Sequence, residues 1–467
     1  MTLTSSSFIV FLGITLVLFY IVPRRAQNAV LLVASGFFVW TWGWIALATI
    51  FGLTLLNFAL GRALPDRPRW LPVGIAFNLL ALALLRTGGI AFPQQAGPFP
   101  LGTPAEQGAV WLAPIGVSFY VLAAISYLVD IRHGILEPCR SLVHFSLYLG
   151  YFPKLIAGPI ERSRHFLARL AERRTVDNDV IIRSGGLIVL GLFRKLVIAD
   201  SLRIWIPGHI TQTPGELPAT MLVLWLFAWM FSVYNDFAGY TDMARGISGF
   251  FGIQLTRNFA TPFYSRSFSE LWTRWHITLS LWLRDYIYLP LSRAALRRDP
   301  NPRRFAAVWV PPLVTMMASG LWHGANPGML IWGALNGVYL GVERVLLRGR
   351  PARPPDRQPA ARQWAGRLLV LALTAGGLLV FLFPVPTAIA YARGILSLDP
   401  LSPMDYRLLL FVLPSVAIDW LQVRSQDELP FLRWPRLAQA TLLAVAALAI
   451  FLITRANTVA PFVYQEF

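Results

Sequence analysis

Apolar runs approaching the ~20 residues needed to cross a bilayer recur along this chain and constrain its fold more than any motif. "FIVFLGITLVLFYIV" (8 to 22), "LLVLALTAGGLLVFLF" (368 to 383) and "ATLLAVAALAIFLI" (440 to 453) are examples. In hydrocarbon each backbone N–H and C=O must find a partner within the protein, so unbroken segments of this kind are helices. The chain reads as an all-α polytopic membrane protein with roughly eleven spans. Composition agrees: 56% of the residues are hydrophobic and 14% charged, against about a quarter charged in soluble domains. "MTLTSSS" has no charged n-region and no small-residue cleavage site follows the first run, so that run is expected to stay as a helix.

Charge sorts the connections. "PRR" (23 to 25), "GRALPDRPRW" (61 to 70), "RAALRRDPNPRR" (293 to 304) and "RGRPARPPDRQPAARQWAGR" (348 to 367) are rich in Arg, whereas 88 to 108 and "PGHITQTPGELP" are not. By the positive-inside rule the basic loops are cytoplasmic, which puts both termini and the 88 to 108 loop outside. The net charge of +18 is then a topology signal, and no nucleic-acid partner is expected. Segment 161 to 174 is basic and amphipathic, suited to lying on the cytoplasmic face against membrane lipids. A lone cysteine, Cys139, excludes an intramolecular disulfide and a multi-cysteine metal site. No segment is long enough to form a separate soluble core. One integral domain, 1–467, is expected: N-terminal helices (1–109), a catalytic core (110–347), a cytoplasmic linker (348–367), and C-terminal helices with an outer tail (368–467).

Residues 231 to 291 differ in character. They are aromatic, dotted with Gly, and carry Asp236, Asp242, Arg245, Arg257, Arg266, Glu270, Arg274, Arg284 and Asp285. Charges at this density cannot face lipid; such a segment is either buried in protein around a wet cavity or a cytoplasmic loop with surface helices. The stretch 269 to 291 reads as one helix capped by Ser269. Its 3.6-residue spacing puts Trp272, His276 and Leu279 on one face, with Ser280 and Arg284 following His276 at steps of four.

The chain has six histidines. His133, His144, His165 and His209 fall in or near expected loops and surface helices. His276 and His323 are each wrapped in Trp within apolar sequence. A histidine at bilayer depth needs a partner or a chemical role. No carboxylate or cysteine stands at metal-ligand spacing from either, so no metal site is expected.

Taken together, "WTRWHITLSLWLRDYIYLPL", "GLWHGANPG", "YFPKLIAGPIERSRHF" and "FSVYNDFAGYTDMARGISGFFGI" resemble the membrane-bound O-acyltransferase (MBOAT) superfamily, most closely its bacterial branch that acetylates alginate, cellulose and peptidoglycan and D-alanylates teichoic acid. The resemblance implies a ring of helices around a central funnel. It also implies that His323 is the catalytic residue, His276 the second histidine, and Tyr464, in the terminal "PFVYQEF", an acyl relay on the outer face. Glu466 departs from the neutral residue expected in that tail. Members move an acyl group from a thioester to a hydroxyl. Acetyl-CoA is the expected donor here, with no permanently bound cofactor. A periplasmic SGNH hydrolase-like acetyltransferase and a polysaccharide synthesis and export complex are the expected partners, and the bacterial inner membrane the expected location, with periplasmic termini.

Chemically, a neutral imidazole can take the hydroxyl proton, a contribution of about 10²- to 10⁴-fold in rate, and apolar surroundings favour the neutral ring. Further candidates for binding substrate are Trp272, Arg274, Ser280, Arg284, Asp285, Trp322, Asn326 and Asp236. Gly320 and Gly324 flank His323 and would let backbone or substrate approach closely. Two readings of other classes stand beside the enzyme: a transporter, which intramembrane His, Asp and Arg would equally suit, and a non-catalytic scaffold for a polymer synthase. Within the enzyme reading, peptidoglycan acylation and D-alanyl transfer are the alternatives to an alginate- or cellulose-type polymer.

Overall fold

A computed structural model describes residues 1–86, 116–172, 174, 176–206, 217–299, 301, 304–347, 359–397, 407–456 and 462. The protein is all-α; among the described residues there is no strand. Six of these helices are long and apolar enough to cross a membrane: Trp44–Ala63, Ala219–Phe250, Phe305–His323, Ala360–Leu382, Leu408–Ser425 and Arg436–Arg455. Ser6–Ile21 and Trp70–Arg86 are shorter apolar helices. On the helix Arg436–Ala456, Leu437 and Val445 are 80% and 58% exposed, a surface that only lipid or a partner could cover.

Several elements differ from their sequence reading. The apolar stretch before "PGHITQTPGELP" is not one regular helix: Asn178–Leu192 is α-helical, but Phe193–Ala199 is a π-helical turn. The segment that changes character at 231 begins inside a helix: Ala219–Phe250 runs unbroken and takes Asp236 and Asp242 inside it. The expected linker 348 to 367 lies partly outside the described residues, and the next helix has already begun at Ala360.

The chain forms two compact units, Met1–Leu192 with Tyr240–Thr256, and Phe193–Gly239 with Arg257–Phe467. In the first, an aromatic cluster of Phe8, Phe11, Phe38 and Phe152 joins the N-terminal helices, with Phe11 and Phe152 edge to face at 5.2 Å. Helix Val117–Arg132 is buried along almost its whole length. Asn57 and Asn78, both fully buried, exchange amide hydrogen bonds of 3.1 and 2.8 Å, which satisfies two polar groups that lipid could not. The amphipathic segment forms the helix Ser163–Ala171 and buries Phe166 and Leu170.

The second unit carries both tryptophan-flanked histidines. Its tightest helix pair is Phe305–His323 against Pro327–Leu346. Small residues set that contact. A Cβ added at Gly333 would strike the Met316 carbonyl, one at Gly337 would come within 2.7 Å of the Leu313 Cα, and one at Gly320 would strike the Met329 carbonyl. Glycines at spacing four let two helix backbones approach closely where no hydrophobic driving force acts between them. Gly320 is thus a packing residue. Gly324 has extended backbone, but a Cβ there would come within 3.1 Å of the Asn326 amide and the Met329 side chain.

Candidate active site

His323 is the last residue of its helix and is 6% exposed. Its ring is walled by aromatic edges: Trp322 at 4.8 Å, Trp332 at 5.3 Å and Phe381 at 5.2 Å between centroids. Trp332 comes from the helix paired through glycines, so that packing also sets the wall of the histidine. The imidazole faces a chamber of about 60 Å³ lined further by Phe263, Leu271, Trp272, Trp275, Asn336, Thr374 and Gly377. The Thr374 hydroxyl and the Trp272 indole N–H are buried and find no hydrogen-bond partner among the described residues. Buried polar groups left unmade cost about 1–3 kcal/mol each, and both residues line this chamber.

A second cavity, of about 350 Å³, is lined by Trp272, Thr273, Ser280, Arg284, Tyr288, Thr315 and Arg344, among others. It is the basic one of the two. Arg344 lies over the Tyr288 ring at 5.6 Å and donates to the Ala307 and Val308 carbonyls. Thr315, Ser319 and His323 follow one another at spacing four, so one face of the helix Phe305–His323 leads from this cavity to the chamber over about 12 Å of helix rise. Ser319 is fully buried, and its hydroxyl finds no partner among the described residues. Thr315 donates instead to the Pro311 carbonyl, at 2.6 Å.

His276 is not on a continuous helix. Helix Phe268–Arg274, capped by Ser267 and not Ser269, stops at Trp275; His276 takes a left-handed conformation with φ 41°, and a new helix, Ile277–Leu283, begins. The expected common face of Trp272, His276 and Leu279 is lost at that break. What holds the strained residue is a strand-like crossing with the preceding segment. Ile277 N–H donates to the Asn258 carbonyl and Ala260 N–H to the Arg274 carbonyl, each at 2.9 Å. The Asn258 side-chain oxygen sits 3.2 Å from His276 Nδ1 and accepts from the Thr278 amide and hydroxyl. The ring, 1% exposed, packs edge to face on Phe237 at 4.7 Å. Trp322 contacts both imidazoles, with its centroid 6.0 Å from that of His276.

The other expected residues divide. Trp272, Ser280 and Arg284 line the cavities; the Ser280 hydroxyl also donates to the Trp275 carbonyl at 3.1 Å. Arg284 pairs with Asp285 at 2.8 Å. Arg274 lines neither cavity: it binds Glu270 at 2.8 Å and the Thr261 hydroxyl at 3.1 Å. Asn326 caps the next helix by accepting from the Met329 amide at 3.0 Å. Asp236 is ion-paired with Lys195 at 2.7 Å, inside the second unit. Tyr464 lies outside the described residues, as does His209. His133 and His165 are exposed, and His144 Nε2 lies 3.0 Å from Asn28 Nδ2. Among the described residues no cluster of three His, Cys, Asp or Glu could hold a metal.

Sequence reasoning missed Asn258, Ser319, Thr374 and Arg344. Only Ser319 carried a usable signal, its spacing of four from His323.

Comparison with known proteins identifies the family. The profile of the MBOAT, membrane-bound O-acyltransferase family matches residues 139–382, which hold both histidines and every residue lining the two cavities. The probable alginate O-acetylase AlgI of Pseudomonas syringae pv. tomato is 35% identical over 74% of this chain and 67% of its own length. The peptidoglycan O-acetyltransferase of Helicobacter pylori is 29% identical over 72% of this chain and 68% of its own. The teichoic acid D-alanyltransferase of Streptococcus thermophilus is 28% identical over 53% and 60%. With a matched profile over half the chain and an apolar, all-helical architecture, this multi-pass membrane protein belongs to the membrane-bound O-acyltransferase family and is an O-acyltransferase.

Proposed function

We propose that the chain moves an acetyl group from a cytoplasmic thioester, acetyl-CoA, across the inner membrane for O-acetylation of an extracellular polysaccharide of the alginate or cellulose type. One observation carries the chemistry: His323 lines an aromatic chamber that shares the wall of Trp272 with a larger cavity bearing Arg284 and Arg344. Arginines of that cavity suit the phosphates of coenzyme A, and its hydroxyls suit a pantetheine arm. The acetyl end would rest in the chamber. His323 takes the proton from the acceptor hydroxyl as its oxygen attacks the thioester carbon. The new C–O bond forms, the C–S bond breaks, and the departing thiolate receives the proton back from the imidazolium. Negative charge collecting on the carbonyl oxygen meets the Trp272 N–H and the Thr374 hydroxyl, the two donors that the chamber leaves available. His276, held by Asn258, is a positioning residue: it supports Trp322 and through it the His323 ring.

The acceptor side follows from topology and relatives. With both termini periplasmic, Tyr464 receives the acetyl group and passes it to a periplasmic SGNH hydrolase-like acetyltransferase associated with the polymer's synthesis and export complex. The relatives named as probable alginate O-acetylases support an alginate-type acceptor; the one named as a peptidoglycan O-acetyltransferase supports a peptidoglycan acceptor instead.

The test uses purified protein in proteoliposomes with labelled acetyl-CoA outside and an acceptor oligosaccharide with the periplasmic partner inside. The wild type transfers label to alginate or cellulose oligomers, and His323→Ala does not, while eluting as the same monodisperse species. Label appearing only on peptidoglycan fragments would replace the polymer. Acceptor labelling by His323→Ala at the wild-type rate would reject the mechanism.

A further inference from the structure

Among the described residues, Trp272 alone is common to the linings of the 350 Å³ cavity and the 60 Å³ chamber. It therefore stands as the partition between the space that opens toward the arginines and the space that His323 faces. Its indole meets Trp332 edge to face at 5.9 Å, and Trp332 in turn borders the His323 ring. The partition is braced on the side where the chemistry takes place.

The two volumes differ in what they can hold. Room for one water is about 10–15 Å³ on this measure, so the inner chamber takes only a few small heavy atoms. A two-carbon acyl group fits. A longer chain would have to displace Trp272, Trp332 or Phe381, which pack against one another or against His323, or Trp275, which packs on Phe263. The outer cavity has room for a chain of several carbons, but a chain lodged there leaves its carbonyl on the wrong side of the indole. The buried N–H of Trp272 adds a polar reason for a thioester carbonyl to stop at this point.

We infer that Trp272 determines acyl-group size: its indole closes the His323 chamber to acyl groups larger than about two or three carbons. The inference rests on the proposed acyl transfer at His323 and adds the residue that selects the donor. Replacing the indole with a methyl group joins the two volumes into one, and longer acyl groups can then reach the imidazole.

The experiment compares acetyl-, propionyl- and butyryl-CoA as donors for the wild type, Trp272→Ala, Trp272→Phe and Gly377→Ala. Wild type should favour acetyl over butyryl at least tenfold in kcat/KM. Trp272→Ala should shift that ratio toward butyryl tenfold or more, even where transfer of both falls, and Trp272→Phe should shift it less. Gly377→Ala guards against a misfolded Trp272 variant. Its added methyl would meet Trp332 Cδ1 at 3.8 Å, an ordinary contact, and takes room from the same chamber. It should lower propionyl transfer more than acetyl transfer. Wild type using butyryl as readily as acetyl, or an unchanged donor ratio in a folded Trp272→Ala, would overturn the role of Trp272 while leaving acyl transfer intact. Absence of transfer from every donor in the wild type, with its partner supplied, would instead sink the underlying reaction and this inference with it.

Discussion

Two buried polar centres of the second unit invite comparison. One is the histidine chamber. The other surrounds the π-helical turn Phe193–Ala199, where Lys195, fully buried, binds Asp236 at 2.7 Å and Asp200 at 2.8 Å. Beside it Arg194 binds Asp419 at 3.2 Å, and the Tyr234 hydroxyl donates to the same carboxylate at 2.9 Å. π-turns often mark functional sites, and by charge alone this cluster is the more conspicuous of the two. Yet its cations and carboxylates are spent on one another, and it lines neither cavity. The histidine centre is of another kind. It has aromatic walls, room for a ligand, and two lining residues, Trp272 and Thr374, with buried donor groups. Charge density marks where the fold is held together; space beside polar groups marks where a reaction can take place.

Substitutions should separate the two. His323→Ala gives the largest loss of transfer, about 10²- to 10⁴-fold in kcat, with the unfolding temperature in detergent unchanged. Lys195→Met should do the reverse. Removing one partner of a buried ion cluster leaves carboxylates uncompensated and costs about 3–5 kcal/mol, to be read as a lower unfolding temperature and yield; whatever protein remains folded should keep its donor preference. If Lys195→Met is stable and inactive, the division between the centres is wrong.

Asn258→Ala comes next. It removes the oxygen that binds the Thr278 amide, the Thr278 hydroxyl and the His276 ring. Unmade buried hydrogen bonds of this kind cost about 1–3 kcal/mol, so transfer should fall about tenfold through kcat with KM little changed. Smallest is Arg274→Ala. The Arg274–Glu270 pair is partly exposed, and such pairs contribute about 0–1 kcal/mol. Its transfer rate should stay within about twofold of wild type, and a loss matching that of Asn258→Ala would place Arg274 in the site after all.

The sequence disclosed unequal parts of this. Apolar runs announced some of the helices to within a few residues, because a bilayer admits few other solutions; Ser6–Ile21 and Arg436–Ala456 are cases, whereas Ala360–Leu382 began well before its quoted run. His323 was legible from its place at the end of such a run. The bend at His276 was not. Its spacing pattern is a good helix, and the left-handed residue exists only because Asn258, eighteen positions earlier, pins the backbone on the far side. Asn326, a candidate for binding substrate, also caps a helix, which Pro327 directly after it signals in retrospect. Asp236 looked like a site residue until its partner, Lys195, was brought to it from another helix. That Trp272 faces two cavities could not be read from any local pattern, since the cavities are made by segments far apart in the chain.

The central claim is that a thioester reaches His323 past Trp272. A cryo-EM structure of the protein with a non-hydrolysable acetyl-CoA analogue tests it directly. The account predicts the phosphates against Arg284 and Arg344, the pantetheine arm along Thr315, and the acyl carbon in the chamber, with room for an acceptor hydroxyl within about 3 Å of the His323 ring. An analogue bound with its acyl end elsewhere, and the chamber unchanged and filled by packed side chains, would contradict it.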